Sequence, residues 1–311
     1  MKKVLLVLII IIGAFAITGC NKQDSNKITI IASSFPGYDF ARALTKDIKN
    51  VEVKMLLKPG SEMHSYEPTP QDIININNSK LFIYIGGDSD NWIDGLLKDI
   101  NTDNTKLVKL MDLVDLVEEE EVEGMEEEHE EEEEETEYDE HVWTSPQNAI
   151  TILKKLKEEI IKVEGIDNDK VEKNENYYEK ELSNIDSQFK EIVLNAKRKE
   201  VIFGDRFPLR YFVDAYGLKY YAAFPGCSEQ TEASAKTISF LIDKVKKDKI
   251  PVVFHIELSS GKIAQTIADE TGTKVLVFKT GHNISQSDFD AGITYVDIMK
   301  DNINVLREAL N

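Results

Sequence analysis

Eight short apolar runs, falling into two sets of four, constrain this chain more than any other feature. The first set is "KITIIAS" (27–33), "VEVKMLL" (51–57), "LFIYIG" (81–86) and "KLVKL" (106–110). The second is "EVIFG" (200–204), "LKYYAA" (218–223), "PVVFHIE" (251–257) and "KVLVF" (274–278). Longer amphipathic segments with helical spacing separate them, so each run reads as a strand and each intervening segment as a crossover helix. The expected fold class is α/β: two lobes, each with a mainly parallel four-stranded sheet flanked by helices.

Between the two sets, Val171, Tyr178, Leu182, Ile185, Phe189, Ile192 and Ala196 recur at helical steps and form one apolar stripe. A helix over 168–197 is predicted, spanning about 45 Å and long enough to cross both lobes. The expected organisation is therefore a first lobe over 27–167, a rigid linking helix over 168–197 and a second lobe over 198–311. A packed helix limits hinge motion where a Gly/Ser linker would permit it.

The first twenty residues carry an address. Lys2 and Lys3 precede an apolar run from Val4 to Ile12, and Ala14, Ala16 and Gly19 lead into Cys20. The run is about half the length of a membrane-spanning helix, so 1–20 is expected to be an export signal. "ITGC" resembles the bacterial lipobox, which implies cleavage before Cys20, lipid attachment at its sulfur and a polar tether over 21–26. The expected location is the extracytoplasmic face of the cell membrane, held by the lipid. Cys227 is then the one remaining thiol, so no intramolecular disulfide can form. It is expected to be a small core residue, with a thiol ligand as the alternative.

The formal charge of −20 is local: 17 acidic residues and no lysine or arginine lie between Glu118 and Glu140. Such a block repels itself and buries little apolar surface, so 118–140 is expected to be a disordered, solvated loop of the first lobe. No nucleic-acid partner is expected, because neutralising phosphates needs a basic face that such a chain lacks.

"PGSEMHSYEPTP" (59–70) places His64 in a stretch stiffened by proline and glycine. Together with "SSFPGYDFARAL", "DEHVWTSPQNAI", "RYFVDAYGL" and "TYVDIMKDNINVLREAL", it resembles the solute-binding lipoproteins of zinc and manganese ABC importers, the ZnuA/TroA/PsaA-like cluster, whose signature segments run in the same order. The resemblance runs from about residue 28 to the C-terminus, interrupted by the acidic segment. It implies two lobes joined by a rigid helix, a divalent metal ion held in the cleft between them, ABC permease membrane subunits as partners, and a monomer.

The resemblance also implies a ligand set. His64 and His141 match the two histidine positions of the first lobe. The third position, histidine or glutamate in the family, is occupied by Asp205; a helix cap or a partner for Arg206 are its other readings. The fourth falls near His282, with Glu257 in reserve or water in its place, while His255 reads as a core residue. Three imidazoles and one carboxylate favour Zn2+ over Mn2+ by the Irving–Williams order. Manganese-specific binding and a surface adhesin remain the alternatives. No "HExxH" occurs, and no enzymatic activity is expected. The acidic loop with its His129 either concentrates cations weakly or only solubilises the chain.

Overall fold

The computed structural model describes residues 27–61, 66–96, 98, 100–125, 137–228 and 232–311. Cys20, His64 and His129 lie outside the described residues, as does the segment 126–136.

Every apolar run forms a strand. β1 (Ile28–Ala32), β2 (Val51–Met55), β3 (Leu81–Tyr84) and β4 (Lys106–Lys109) pair in the order β2-β1-β3-β4. β5 (Glu200–Arg206), β6 (Lys219–Phe224), β7 (Val252–His255) and β8 (Lys274–Val277) pair in the order β6-β5-β7-β8. All six pairings are parallel. The inner strands are covered on both faces: neighbours Ile30 and Ile31 in β1, and Val201, Ile202 and Phe203 in β5, are all buried. Parallel sheets have this character because their crossover helices cover both sides.

In the first lobe those helices are α1 (Phe35–Leu44), α2 (Pro70–Asn77), α3 (Asn91–Leu96) and α4 (Pro146–Ile160). After the long α5 (Asn168–Leu194), the second lobe adds α6 (Arg210–Tyr216), α7 (Ala235–Asp248), α8 (Lys262–Thr271), α9 (Gln286–Ala291) and α10 (Tyr295–Leu310). Two of the motif segments are helix starts. In "PTPQD", Thr69 and Asp72 cap one another across the first turn of α2 with Pro70 inside it; in "TYVD", Thr294 and Asp297 do the same for α10. Each capping box satisfies donors that a helix start otherwise leaves open.

The 27 residues of α5 span about 40 Å. Val171, Tyr178, Leu182, Ile185, Phe189 and Ile192 are buried as the stripe requires, while Ala196 lies just beyond the helix. Burying six such side chains contributes on the order of 10 kcal/mol. The helix packs against α1 and α4 of the first lobe and against α6 and α10 of the second. One buried node ties these elements together. The Asp39 carboxylate on α1 accepts from Tyr178 OH on α5, from the Tyr295 backbone N–H at the start of α10 (2.9 Å), and from Arg42. Arg42 in turn donates to Ile293 O at 2.9 Å.

The acidic segment departs from the expectation of a solvated loop at both ends. Glu118 bridges Tyr138 in antiparallel fashion, and Glu119 N donates to Glu137 O at 2.9 Å. These short ends lie against the second lobe: Tyr211 OH donates to Asp139 O (2.8 Å), Tyr220 OH to Glu120 O (3.0 Å), and Gly226 N to the Glu119 carboxylate (2.8 Å). Met125 is buried, and Asp139 and Glu140 are each 1% exposed. The charge run alone predicts solvation; backbone hydrogen bonds and tyrosine hydroxyls supplied by the distant lobe override it. No helix among the described residues is long and apolar enough to cross a membrane.

Candidate metal centre

The carboxyl ends of the strands face a cleft between the lobes, the side on which open α/β sheets gather ligands. A cavity of about 40 Å3 sits there, bounded by Ser61 and His141 of the first lobe and by Arg206, Glu257, Thr280 and His282 of the second. Beside it, ligand atoms of Glu140, His141 and His282 all lie within 4.8 Å of one another. The two imidazoles meet edge to face, with ring centroids 5.2 Å apart.

His141 stands where the chain leaves the acidic segment and enters the short 3-10 turn Val142–Thr144. Its backbone N–H donates to the Asp139 carboxylate at 2.8 Å, and its Nδ1 lies 3.3 Å from the same oxygen. A carboxylate can only accept there, so the neutral ring carries its proton on Nδ1 and directs the Nε2 lone pair elsewhere. That Nε2 is buried and has no hydrogen-bond partner among the described residues. Burial alone would depress the imidazole pKa, but the carboxylates of Asp139, Glu140 and Glu119 outweigh it and raise it. The site thus attracts positive charge, whether a proton or a metal ion.

Glu140 is held by Ser89, whose backbone N–H donates to Oε2 at 2.9 Å and whose hydroxyl meets Oε1. Burial pushes its carboxyl up to about 7. Trp143 packs beside both imidazoles, at 5.4 Å from His141 and 5.1 Å from His282 between ring centroids. Its Nε1 donates to Thr280 O at 3.0 Å, which pins the His282 loop of the second lobe to the first.

The other candidate ligands occupy different places, and His64 lies outside the described residues, three positions beyond Ser61. Asp205 sits near the end of β5 but does not join the group of Glu140, His141 and His282. Its Oδ2 accepts from Ile256 N (3.2 Å) and from Ser259 Oγ, and its Oδ1 from Arg206 N (2.9 Å). β5 loses regular register with β6 between Phe203 and Arg206, and it is Arg206 that lines the cavity. Glu257 also lines it, yet its carboxylate is already taken up by Thr280 N (2.7 Å), Thr280 Oγ1 (2.7 Å) and Gly281 N (2.8 Å). His255 is half-buried, with Nδ1 2.9 Å from Ile256 O and 3.2 Å from Ser259 Oγ, away from the cavity. Burial, followed by the carboxylates of Glu140, Glu119 and Asp139, pushes the Cys227 thiol well above its ordinary range, which disfavours the thiolate a metal requires.

Glu140 and Asp139 are the two site residues that sequence reasoning missed. Their signal was present in "DEHVW", directly before His141, but both were absorbed into the acidic run.

A cation of zinc's size fits this donor set. Zinc takes imidazole nitrogens at about 2.0–2.1 Å in tetrahedral geometry, which places ligand atoms about 3.3 Å apart. The ligand atoms of Glu140, His141 and His282, all within 4.8 Å of one another, stand close enough to converge on one such ion, and the His141 Nε2 has no other partner among the described residues.

A family profile described as "ZnuA: Zinc-uptake complex component A periplasmic" matches residues 30–309. Among curated proteins, the chain is 30% identical over 298 residues to the high-affinity zinc uptake system protein ZnuA of Bacillus subtilis, covering 96% of this chain and 92% of that one. It is also 30% identical over 309 residues to the zinc-binding lipoprotein AdcA of Streptococcus pneumoniae, covering 99% of this chain but spanning only 61% of that longer protein. The crystal structure of the Zn(II)-bound ZnuA-like domain of Streptococcus pneumoniae AdcA superposes with a TM-score of 0.75 at 26% identity, over 91% of this chain and 99% of that one.

Proposed function

Because the chain belongs to the family of zinc-uptake complex component A proteins, we propose that it captures Zn2+ in the cleft between its lobes and delivers it to the membrane subunits of an ABC importer. The observation that carries this reading is the group of buried Glu140 and His141 with half-buried His282, drawn from both lobes, with the His141 Nε2 unpartnered among the described residues. Imidazole-rich donor sets prefer zinc to manganese, and the oxygen-rich sites that suit manganese are chemically different.

In this reading His64, His141 and His282 supply three nitrogens and Glu140 one oxygen, while Asp139 orients the His141 ring from behind. Asp205, tied to Ser259 and Ile256, supports the second lobe's wall and is the carboxylate to compare with Glu140. Ligands from both lobes make the bound ion a bridge, so zinc stabilises the closed pair by RT ln(1 + [L]/Kd), about 4 kcal/mol at a thousandfold excess over Kd. The protein performs capture and hand-over and catalyses no reaction. In the same reading a lipid attached at the Cys20 sulfur ties the monomer to the outer face of the membrane.

Isothermal titration of metal-free protein with zinc tests the assignment. The parent should bind one ion tightly, and His64→Ala, His141→Ala, His282→Ala and Glu140→Gln should each weaken binding by about tenfold or more, whereas Asp205→Asn should leave most of it. Full affinity in His141→Ala would overturn the site, and a larger loss in Asp205→Asn than in Glu140→Gln would exchange the two carboxylates. Elemental analysis of protein purified without added metal checks the ion: manganese in excess of zinc would overturn the choice of cargo.

A further inference from the structure

The loop that carries His282 is joined by direct hydrogen bonds to Lys58, Gly60 and Ser61, which lead along the chain into His64. Asn283 is 4% exposed. Its side-chain amide donates across the cleft to Lys58 O at 3.0 Å and to Ser61 O at 2.7 Å. Its Oδ1 accepts from the backbone N–H of Ile284 at 2.8 Å, which fixes the amide's orientation and aims both donors at the first lobe. One residue further on, Gly60 N donates to Ile284 O at 2.8 Å, so backbone and side chain together close a small ring between the lobes. Gly60 has φ +80, a left-handed conformation that turns its N–H toward the second lobe. His282 itself is braced from the other side, its N–H donating to Thr280 Oγ1 at 3.1 Å while Glu257 holds Thr280 and Gly281.

We propose that Asn283 is a positioning residue for zinc: it joins the loop of His282 to Lys58 and Ser61, the residues that lead along the chain into His64, and so sets how slowly the bound ion leaves. This rests on the reading of His64 and His282 as ligands. The physical reason is preorganisation. When two ligand-bearing loops are already joined, placing their nitrogens around one ion costs little additional ordering, and the ion departs only when the join opens. Asn283 offers no atom to the metal; both its donors and its acceptor are spent on backbone groups.

A thermodynamic cycle tests this, with zinc itself as the probe and metal-free full chain as the protein. Zinc affinity is measured by chelator competition, and dissociation by stopped-flow transfer to a fluorescent chelator, in the parent, Asn283→Ala, His64→Ala and the double variant. The loss of two interlobe hydrogen bonds should raise the dissociation rate of Asn283→Ala about tenfold or more, with a much smaller change in the association rate. In the His64→Ala background the same change should have little further effect, because the loop it positions no longer carries a ligand. Asn283→Ser keeps a polar group beside Ile284 N but cannot reach Lys58 or Ser61, and should reproduce the result if the alanine variant folds poorly. An equal factor in both backgrounds, or an unchanged dissociation rate, overturns the proposal. Should His64→Ala bind zinc as the parent does, the ligand assignment fails first, and the cycle reports that separately.

Discussion

Replacing Asp39 by alanine should be one of the most damaging single changes outside the metal centre, and the structure sets its size. The carboxylate is fully buried and accepts from Tyr178 OH on α5 and from the Tyr295 N–H at the start of α10, besides pairing with Arg42. Alanine strands both buried donors, each at a cost of about 1–3 kcal/mol, and leaves Arg42 without its counter-charge. Arg42 keeps Ile293 O and is 30% exposed, so part of its charge is relieved by water. The net loss is about 3–5 kcal/mol, which for a chain of this length is a fall of about 6–10 °C in the melting temperature of the metal-free protein. A second contact between α5 and α10 provides the control: Lys300 meets Glu181 at 2.9 Å, but the pair is 45% and 30% exposed. Lys300→Ala should therefore change stability by less than about 1 kcal/mol. Differential scanning calorimetry compares the two. A broadened or split transition in Asp39→Ala would show the lobes melting separately, as the position of the node implies. If Asp39→Ala melts within about a degree of the parent, the node does not couple the lobes and the reasoning is wrong.

Three other perturbations act away from the node. Burial pushes the Asp90 carboxyl up to about 6 from 3.8, against donors from Ile85, Gly86 and Ser33; its stabilising contribution is complete below the unfolded value and is lost as pH rises through about 6, so the parent should lose about 3 kcal/mol relative to Asp90→Asn between about pH 4 and pH 7 in urea titrations, and parallel curves would contradict this. A Cβ on Gly204 would stand 2.4 Å from Ala264 N and 2.5 Å from its Cα, so Gly204→Ala must push α8 off β5 and cost about 2 kcal/mol or more, measured by the same unfolding. Replacing 126–136 by a short Gly/Ser linker should leave zinc affinity and metal-free stability unchanged in titration and calorimetry, whereas deleting 118–137 removes the Glu119 and Glu120 contacts to the second lobe and should lower stability by about 2 kcal/mol.

The inner strands were legible because strands covered on both faces need unbroken apolar runs, and the half-buried edge strands β2, β4 and β8 still keep short runs rich in Val and Leu, whose spacing is a local property. The long helix was legible for a similar reason: its stripe repeats at the helical period, and the gap between Val171 and Tyr178 is filled by Glu175, whose burial no periodicity of apolar residues could indicate. What could not be read is whatever depends on a distant partner. The ends of the acidic segment fold because Tyr211, Tyr220 and Gly226, far along the chain in the second lobe, offer hydroxyls and a backbone N–H. Asp139 and Glu140 are acidic like the rest of the run, and what sets them apart is what surrounds them. Asp205 falls near the end of its strand as the apolar run implies, yet which way its carboxylate turns is decided by Ser259 and by the loss of register near Arg206, neither of which leaves a trace in residue spacing.

The direction of the strands has a consequence for how the molecule stands on a membrane. All eight point their carboxyl ends at the cleft, and the chain enters the first sheet at Lys27, at the opposite end of β1. The lipid attachment proposed at Cys20 would therefore hold the body by its blind end, at least a strand length of about 17 Å from the proposed metal site. Residues 21–26 reach no further than about 20 Å when fully extended. With that attachment the mouth would be carried uppermost, facing the incoming ion and away from the bilayer. Hand-over in the proposed function would then require the body to tip over on that attachment, or a receptor face raised above the membrane by about the body's own height.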